Sequence, residues 1–194
     1  MVPERRETSD GHELTLATHV LGPHLLTRGL VDVLDASGDG RLVWVSSGGM
    51  YASELRDDDL EFLKSAYSGE IAYARTKRMQ LVLAEKWAEH LLDRHVVSHT
   101  MHPGWVDTPG VRTFLPKFRG LTLPFMRSAD QGADTITWLV ASPTPNASSG
   151  QFWNDRHVRP TTYGWRGRES ADRRHRFWAF CQAATDDRSD ARTG

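Results

Sequence analysis

Cysteine is almost missing: Cys181 is the only one in 194 residues. That excludes an intramolecular disulfide framework and a thiolate metal cluster. No apolar run approaches the ~20 residues that span a bilayer. The first ten residues lack the apolar core of a signal peptide, so a cytoplasmic protein is expected. Lysine is scarce, four against twenty arginines. Neither sign of charge dominates, because the formal net charge is −1. The chain as a whole therefore has no strong bias toward nucleic acid or an anionic membrane. Repeats and an obvious interdomain linker are absent too. The expectation is one domain with a sizeable core.

What is present is an alternation of periods. Thr8-Ser9-Asp10 offers helix-capping side chains. Apolar residues then recur at helical spacing to about Ala36, with a bend expected at Gly22-Pro23. After the turn Ser37-Gly38-Asp39-Gly40, Leu42 to Val45 reads as a short buried strand ended by Ser46-Ser47-Gly48-Gly49. Residues 50–69 are polar, and Asp57-Asp58-Asp59 is read as a solvated loop or helix start rather than a metal site. A long helix is expected from Glu70 to about Arg94 and a second strand from Val96 to Met101, stopped by His102-Pro103-Gly104. The segment 111–126 reads as irregular, Ser128 to Ala141 as a helix, Gly150 to Trp153 as a third strand, and about Ser170 to Ala184 as a last helix. This order gives an α/β fold with a short parallel sheet of about three strands flanked by helices. Chemistry in such sheets gathers beyond the carboxyl ends of the strands.

Tyr73 and Lys77 lie four residues apart on the long helix. Their side chains rise from one face, about 6 Å apart along the axis. A fixed cation beside a phenol favours the phenolate, and a nearby serine hydroxyl, Ser47, could hold a substrate oxygen. With four residues of each type, chance alone yields roughly 0.08 such pairs, so the pair gains meaning from its neighbours. Ser47 and the loop 102–108 both follow strands, and the helix with Tyr73 and Lys77 lies between them. All of these features converge at one edge of the sheet. Each also has a plain structural alternative. Ser46 and Ser47 suit a turn, Pro103-Gly104 terminates strands unaided, and Thr108-Pro109 suits a helix cap.

Three stretches in register carry a resemblance: Leu42-Val43-Trp44-Val45-Ser46-Ser47, then Tyr73-Ala74-Arg75-Thr76-Lys77, then His102-Pro103-Gly104-Trp105-Val106-Asp107-Thr108. Over roughly residues 11–155 the chain resembles the short-chain dehydrogenase/reductase family. The resemblance implies a partial Rossmann-like fold, with its core over 11–155 and a variable tail over 156–194 that holds one helix, and an NAD(P)-dependent oxidoreductase that interconverts a carbonyl and an alcohol. It implies Tyr73 as proton donor or acceptor, and Lys77 as the group that lowers its pKa and bonds the nicotinamide ribose. Ser47 would orient and polarise the substrate oxygen. Val106 and Thr108 would hold the carboxamide of NAD or NADP, and Pro103 and Gly104 would shape that loop. It further implies a small apolar substrate, with Trp105, Phe114, Phe118 and Phe125 as candidate lining, and self-association into a homo-oligomer through helices 11–36 and 70–94.

The chain departs from the family pattern in two ways. No Gly-x-x-x-Gly-x-Gly phosphate loop occurs in the sequence, so the expectation is weak or absent dinucleotide binding by this polypeptide alone. Two explanations are a misassigned start site and a truly truncated gene; in the second case an inactive fragment acting through self-association is the alternative function. The strand Leu42–Val45 is then expected to form an exposed apolar edge. The second departure is His19, which stands where the family often has asparagine. Its imidazole could bind a relay water and titrate near neutral pH, or simply pack within the helix. Arg166, Arg168, Arg173, Arg174 and Arg176, with Trp165, Phe177 and Trp178 nearby, are offset by Glu169, Asp172, Asp186, Asp187 and Asp190, so no nucleic-acid partner is expected.

Overall fold

In a computed structural model that describes residues 1–114, 116–163 and 168–186, three parallel strands form the frame. They are β1 (Gly40–Val45), β2 (Val96–Met101) and β3 (Phe152–Asn154). A two-residue β4 (His157–Val158) turns back antiparallel to β3, so the sheet is mixed, in order β1-β2-β3-β4. The arginine-rich stretch after the third strand had given no strand signal, because two residues carry no period.

The helices bear out most of the periodicity. Three consecutive segments, α1 (Leu14–Leu16), a π-helical segment (Ala17–Leu21) and α2 (Gly22–Ala36), replace the bent first helix. Pro23 has no N–H to donate, and the Gly22 N–H reaches back five residues to Ala17. Glu13, not Thr8-Ser9-Asp10, supplies the cap, accepting from Thr15 and Leu16 at 2.9 and 2.7 Å. The long helix α3 (Gly69–His90) is capped by Ser68. The 111–126 segment is not irregular: α4 (Pro109–Phe114) and α5 (Pro116–Thr122) each begin on a proline, whose fixed φ suits a first turn. Ser128 and Gln131 form a reciprocal capping box at α6 (Ala129–Ala141). The tail ends in α7 (Ala171–Asp186).

Alternation along β1 sends side chains to two cores. Leu42 and Trp44 face a cluster with Leu16, Trp87, Phe177 and Cys181, built by the π segment, α3 and α7. Val43 packs toward Met101, Trp153 and Leu139 under α6. The tail helix is thus part of the main core, with Phe177 and Cys181 fully buried. Trp165, Arg166, Asp187 and Asp190 lie outside the described residues. Arg173 and Arg176 pair with Asp57, and Arg174 with Glu85 and Glu89.

β1 is an edge of the sheet, but its side chains are less exposed than expected. Trp44 is buried, Leu42 and Val43 are half-buried, and only Val45 is open. Most of α3 is covered within the chain, whereas α2 exposes Leu26, Leu30 and Val33 along one face. The solvated-loop reading fails for Asp59. Its buried carboxylate accepts from the Leu63 and Lys64 amides at 2.7 and 2.9 Å and the Ser65 hydroxyl at 2.6 Å, and it faces Arg75 at 3.5 Å. Among the described residues no His, Cys, Asp and Glu set is arranged to hold a metal ion, and no helix is long and apolar enough to cross a membrane.

Candidate active site

Parallel pairing of β1 with β2 brings Val45 level with Met101, so the loops after both strands open at the same end of the sheet. Ser46 closes that end. Its N–H donates to the Met101 carbonyl at 2.7 Å and its hydroxyl donates to the Lys77 carbonyl at 2.8 Å. One residue thereby ties β1 to β2 and to the middle of α3.

Ser47 follows in extended conformation and caps the 3-10 turn Gly48–Ala52, accepting from the Gly49 N–H at 3.2 Å. Its turn role is real, yet an oxygen that accepts there still has its own proton to donate. Gly49 is the shared neighbour of Ser47 and Tyr73. A β-carbon on it would lie 3.6 Å from the Ser47 hydroxyl oxygen and 3.8 Å from Cε1 of Tyr73.

Lys77 stands one turn below Tyr73, its Nζ 5.5 Å from the phenol ring centre. The ammonium donates to the Val45 carbonyl at 2.9 Å and to Oε1 of Gln80 at 3.0 Å. Both acceptors are neutral, and burial pushes the lysine pKa down to about 8. It therefore remains mostly a cation at pH 7.

His19 sits in the π segment, edge-on to the Tyr73 ring at 5.8 Å between centres. Its Nδ1 lies 2.9 Å from the Thr76 hydroxyl, which itself donates to the Tyr73 carbonyl. With the threonine proton so committed, Nδ1 is the donor and Nε2 carries the lone pair. Burial, then the charges of Lys77 and the chain N-terminus, lower its pKa to about 4. The expected titration near neutral pH is thus corrected: His19 is neutral there.

The second loop is organised separately. The His102 ring stacks on Phe152 and accepts from the Gly104 N–H at 3.1 Å. A β-carbon on Gly48 would meet the same ring at 3.8 Å, which places the two loops side by side. Gly104 has φ +79°, and a β-carbon there would strike the Arg127 guanidinium at 2.9 Å. That guanidinium donates to the Pro103 carbonyl and grips Asp155 with two bonds. Val106 is buried where a β-carbon on Gly132 of α6 would come within 2.5 Å of it. Thr108 caps α4, accepting from Val111 at 3.3 Å. Asp107 is held by both Arg112 and Arg119, which keep its carboxyl well below the usual carboxylate range. Trp105, Phe114 and Phe125 are all exposed near this loop; the Phe118 side chain lies outside the described residues.

Ser47, Tyr73, Lys77 and His19 are therefore contiguous, and Pro103 and Gly104 adjoin them through His102 and Gly48. Val106 and Thr108 continue that loop toward α6 and α4. Three contributors were missed. Gln80 lies three residues beyond Lys77, a spacing that could have pointed to it. Ser46 was read only as a turn residue. The Arg127–Asp155 pair bridges distant segments and leaves no sequence signal. A cleft of about 240 Å³ lined by Thr8, Asp10, His12, Thr18 and Thr185, among others, shares no residue with this cluster.

No family model matches the chain. Dehydrogenase/reductase SDR family member 12 of Bos taurus is 44% identical over 164 residues, 83% of this chain and 50% of that protein. A crystal structure of an uncharacterised protein from Mycobacterium paratuberculosis superposes with a TM-score of 0.69 at 22% identity, covering 94% of this chain and 62% of the other. The 3-ketoacyl-(acyl-carrier-protein) reductase of Brucella melitensis, solved with NADH, gives 0.57 at 20% identity, covering 79% and 61%. These two structures share the fold. The chain spans about half the length of the curated relatives it matches.

Proposed function

This chain belongs to the short-chain dehydrogenase/reductase family, and from that premise we propose that it carries the proton-transfer half of an NAD(P)-dependent oxidoreductase acting on a carbonyl or alcohol. The observation that supports this most is the shared gap at Gly49, flanked by the Ser47 hydroxyl and the Tyr73 ring edge, with the Lys77 ammonium one helical turn away.

In this reading the Ser47 hydroxyl donates to the substrate oxygen and orients it. The Tyr73 hydroxyl delivers a proton to that oxygen in reduction and removes it in oxidation. The Lys77 ammonium, 5.5 Å from the ring centre, sets a fixed positive charge beside that transfer. His19, neutral and hydrogen-bonded to Thr76, presents a lone pair rather than a charge beside the tyrosine.

The donor set suits a nicotinamide and its ribose. Tyr73, Lys77 and Thr108 offer hydroxyl and ammonium donors, Val106 offers backbone, and Pro103 and Gly104 form a loop braced by Arg127. When bound, that cofactor supplies the hydride. No glycine-rich phosphate loop occurs among these 194 residues, so the match concerns the nicotinamide end alone. The exposed Trp105, Phe114 and Phe125 favour a small apolar substrate. Titration with NADH and NADPH, comparing wild type with Lys77→Met, tests the assignment: binding weakened by the substitution supports it, and equal binding by both proteins counts against it.

A further inference from the structure

Pro23 cannot donate a hydrogen bond to the carbonyl of His19, four residues before it. That carbonyl accepts instead from Nε2 of Gln80 at 2.7 Å. The other end of the same amide, Oε1, accepts from Nζ of Lys77 at 3.0 Å. Together the contacts fix the amide's orientation, since only its nitrogen can face a carbonyl and only its oxygen can face an ammonium. Gln80 is 7% exposed, on the same helix as Lys77 and three residues beyond it. π segments recur at functional sites because they displace backbone groups from the regular helix ladder. Here the displaced carbonyl is the anchor of the amide.

We propose that Gln80 is a positioning residue, whose amide clamps the Lys77 ammonium between the π segment and the end of β1, next to Tyr73. This deepens the reading of Lys77 as part of the active site and rests on it. A lysine side chain has four rotatable bonds and strong hydration, so an unheld ammonium would swing toward water. Val45 and Gln80 take two of its three N–H donors, which leaves one for a bound ligand. The titratable groups beside it are Tyr73 and His19, and both described partners of Nζ are neutral. A neutral amide holds the ammonium without titrating near neutral pH, as an imidazole would, and without raising its pKa, as a carboxylate would. The Gly22-Pro23 break in one helix and Gln80 in another thus form one device.

The test reads the lysine directly and needs neither cofactor nor turnover. Trace labelling of the purified protein with an amine-reactive reagent, across pH and with peptide-level mass spectrometry, reports each lysine separately. Lys64, Lys86 and Lys117 serve as internal references. Gln80→Met removes the acceptor at similar length, and the Lys77 pKa should fall on the order of one pH unit, with severalfold faster labelling near neutral pH. Gln80→Glu adds an opposite charge, and the Lys77 pKa should rise by a similar amount. That variant keeps the test open if the methionine protein does not fold. A merely structural glutamine would change melting temperature without these opposite shifts. Lys77 titration unchanged in the folded variants overturns the proposal. If Tyr73→Phe proves fully active, the catalytic reading fails while the labelling result still judges the clamp.

Discussion

Ser47 and Tyr73 share Gly49 as a neighbour: a β-carbon there would lie 3.6 Å from the Ser47 hydroxyl oxygen and 3.8 Å from Cε1 of Tyr73, and the proposed function puts the substrate oxygen in that gap. The contact distances there are ordinary for a methyl group, and Gly49 does not adopt a left-handed backbone. Gly49→Ala should therefore fold normally, within about 1 kcal/mol of wild type. It should raise KM by crowding the gap. Denaturant melts together with steady-state kinetics check this; a strongly destabilised variant, or one with unchanged KM, would count against the placement.

Lys77 gives a pH dependence. Its ammonium loses its proton as pH rises through about 8. If the cation assists Tyr73, kcat should decline above that pH, well before an ordinary lysine would titrate. The pH–rate profile checks the basic limb, and Gln80→Glu should move that limb upward.

Two histidines make the fold acid-sensitive. Burial lowers both His19 and His24 from 6.5 to about 4, aided by Lys77 at His19 and by Arg28 at His24. Between those values the unfolded chain binds more protons than the folded one. Stability then rises with pH across this window and is lost on acidification. Each residue should contribute ~2 kcal/mol of loss between pH 7 and pH 5, measurable by urea unfolding at the two values.

Asp59 organises the polar excursion between β1 and α3. Its removal strands Arg75, whose guanidinium is buried over the Phe62 ring at 3.9 Å. Asp59→Ala should cost ~3–5 kcal/mol, as expected when one member of a buried pair is deleted. Asp59→Asn, which keeps an acceptor, should cost less. Thermal unfolding of both variants provides the comparison.

Much of this site was legible because it depends on local order. The run Leu42–Val45, the Tyr73–Lys77 spacing and the strand stop at His102-Pro103-Gly104 each carry a local signature, and parallel topology then forces them to one edge. Ser128 announced its helix for the same reason. The features that sequence concealed depend on partners far along the chain. Asp59 looked solvated because nothing local marks Arg75 and Ser65 as its donors. The His19–Gln80 contact joins positions 61 residues apart, and the burial that neutralises His19 belongs to the packed state alone. α5 was hidden by its proline, which reads as a break until the first turn is recognised, whereas Thr108-Pro109 already suited a cap at the start of α4.

The account stands or falls on the Tyr73 hydroxyl as the proton carrier. The most direct measurement is carbonyl-dependent oxidation of NADH or NADPH, at cofactor concentrations high enough to offset weak binding, by wild type and by Tyr73→Phe, with circular dichroism to verify the fold. Loss of roughly 10²–10⁴ in kcat is predicted for the variant, with its melting temperature little changed. A folded Tyr73→Phe protein that turns over at the wild-type rate would contradict it.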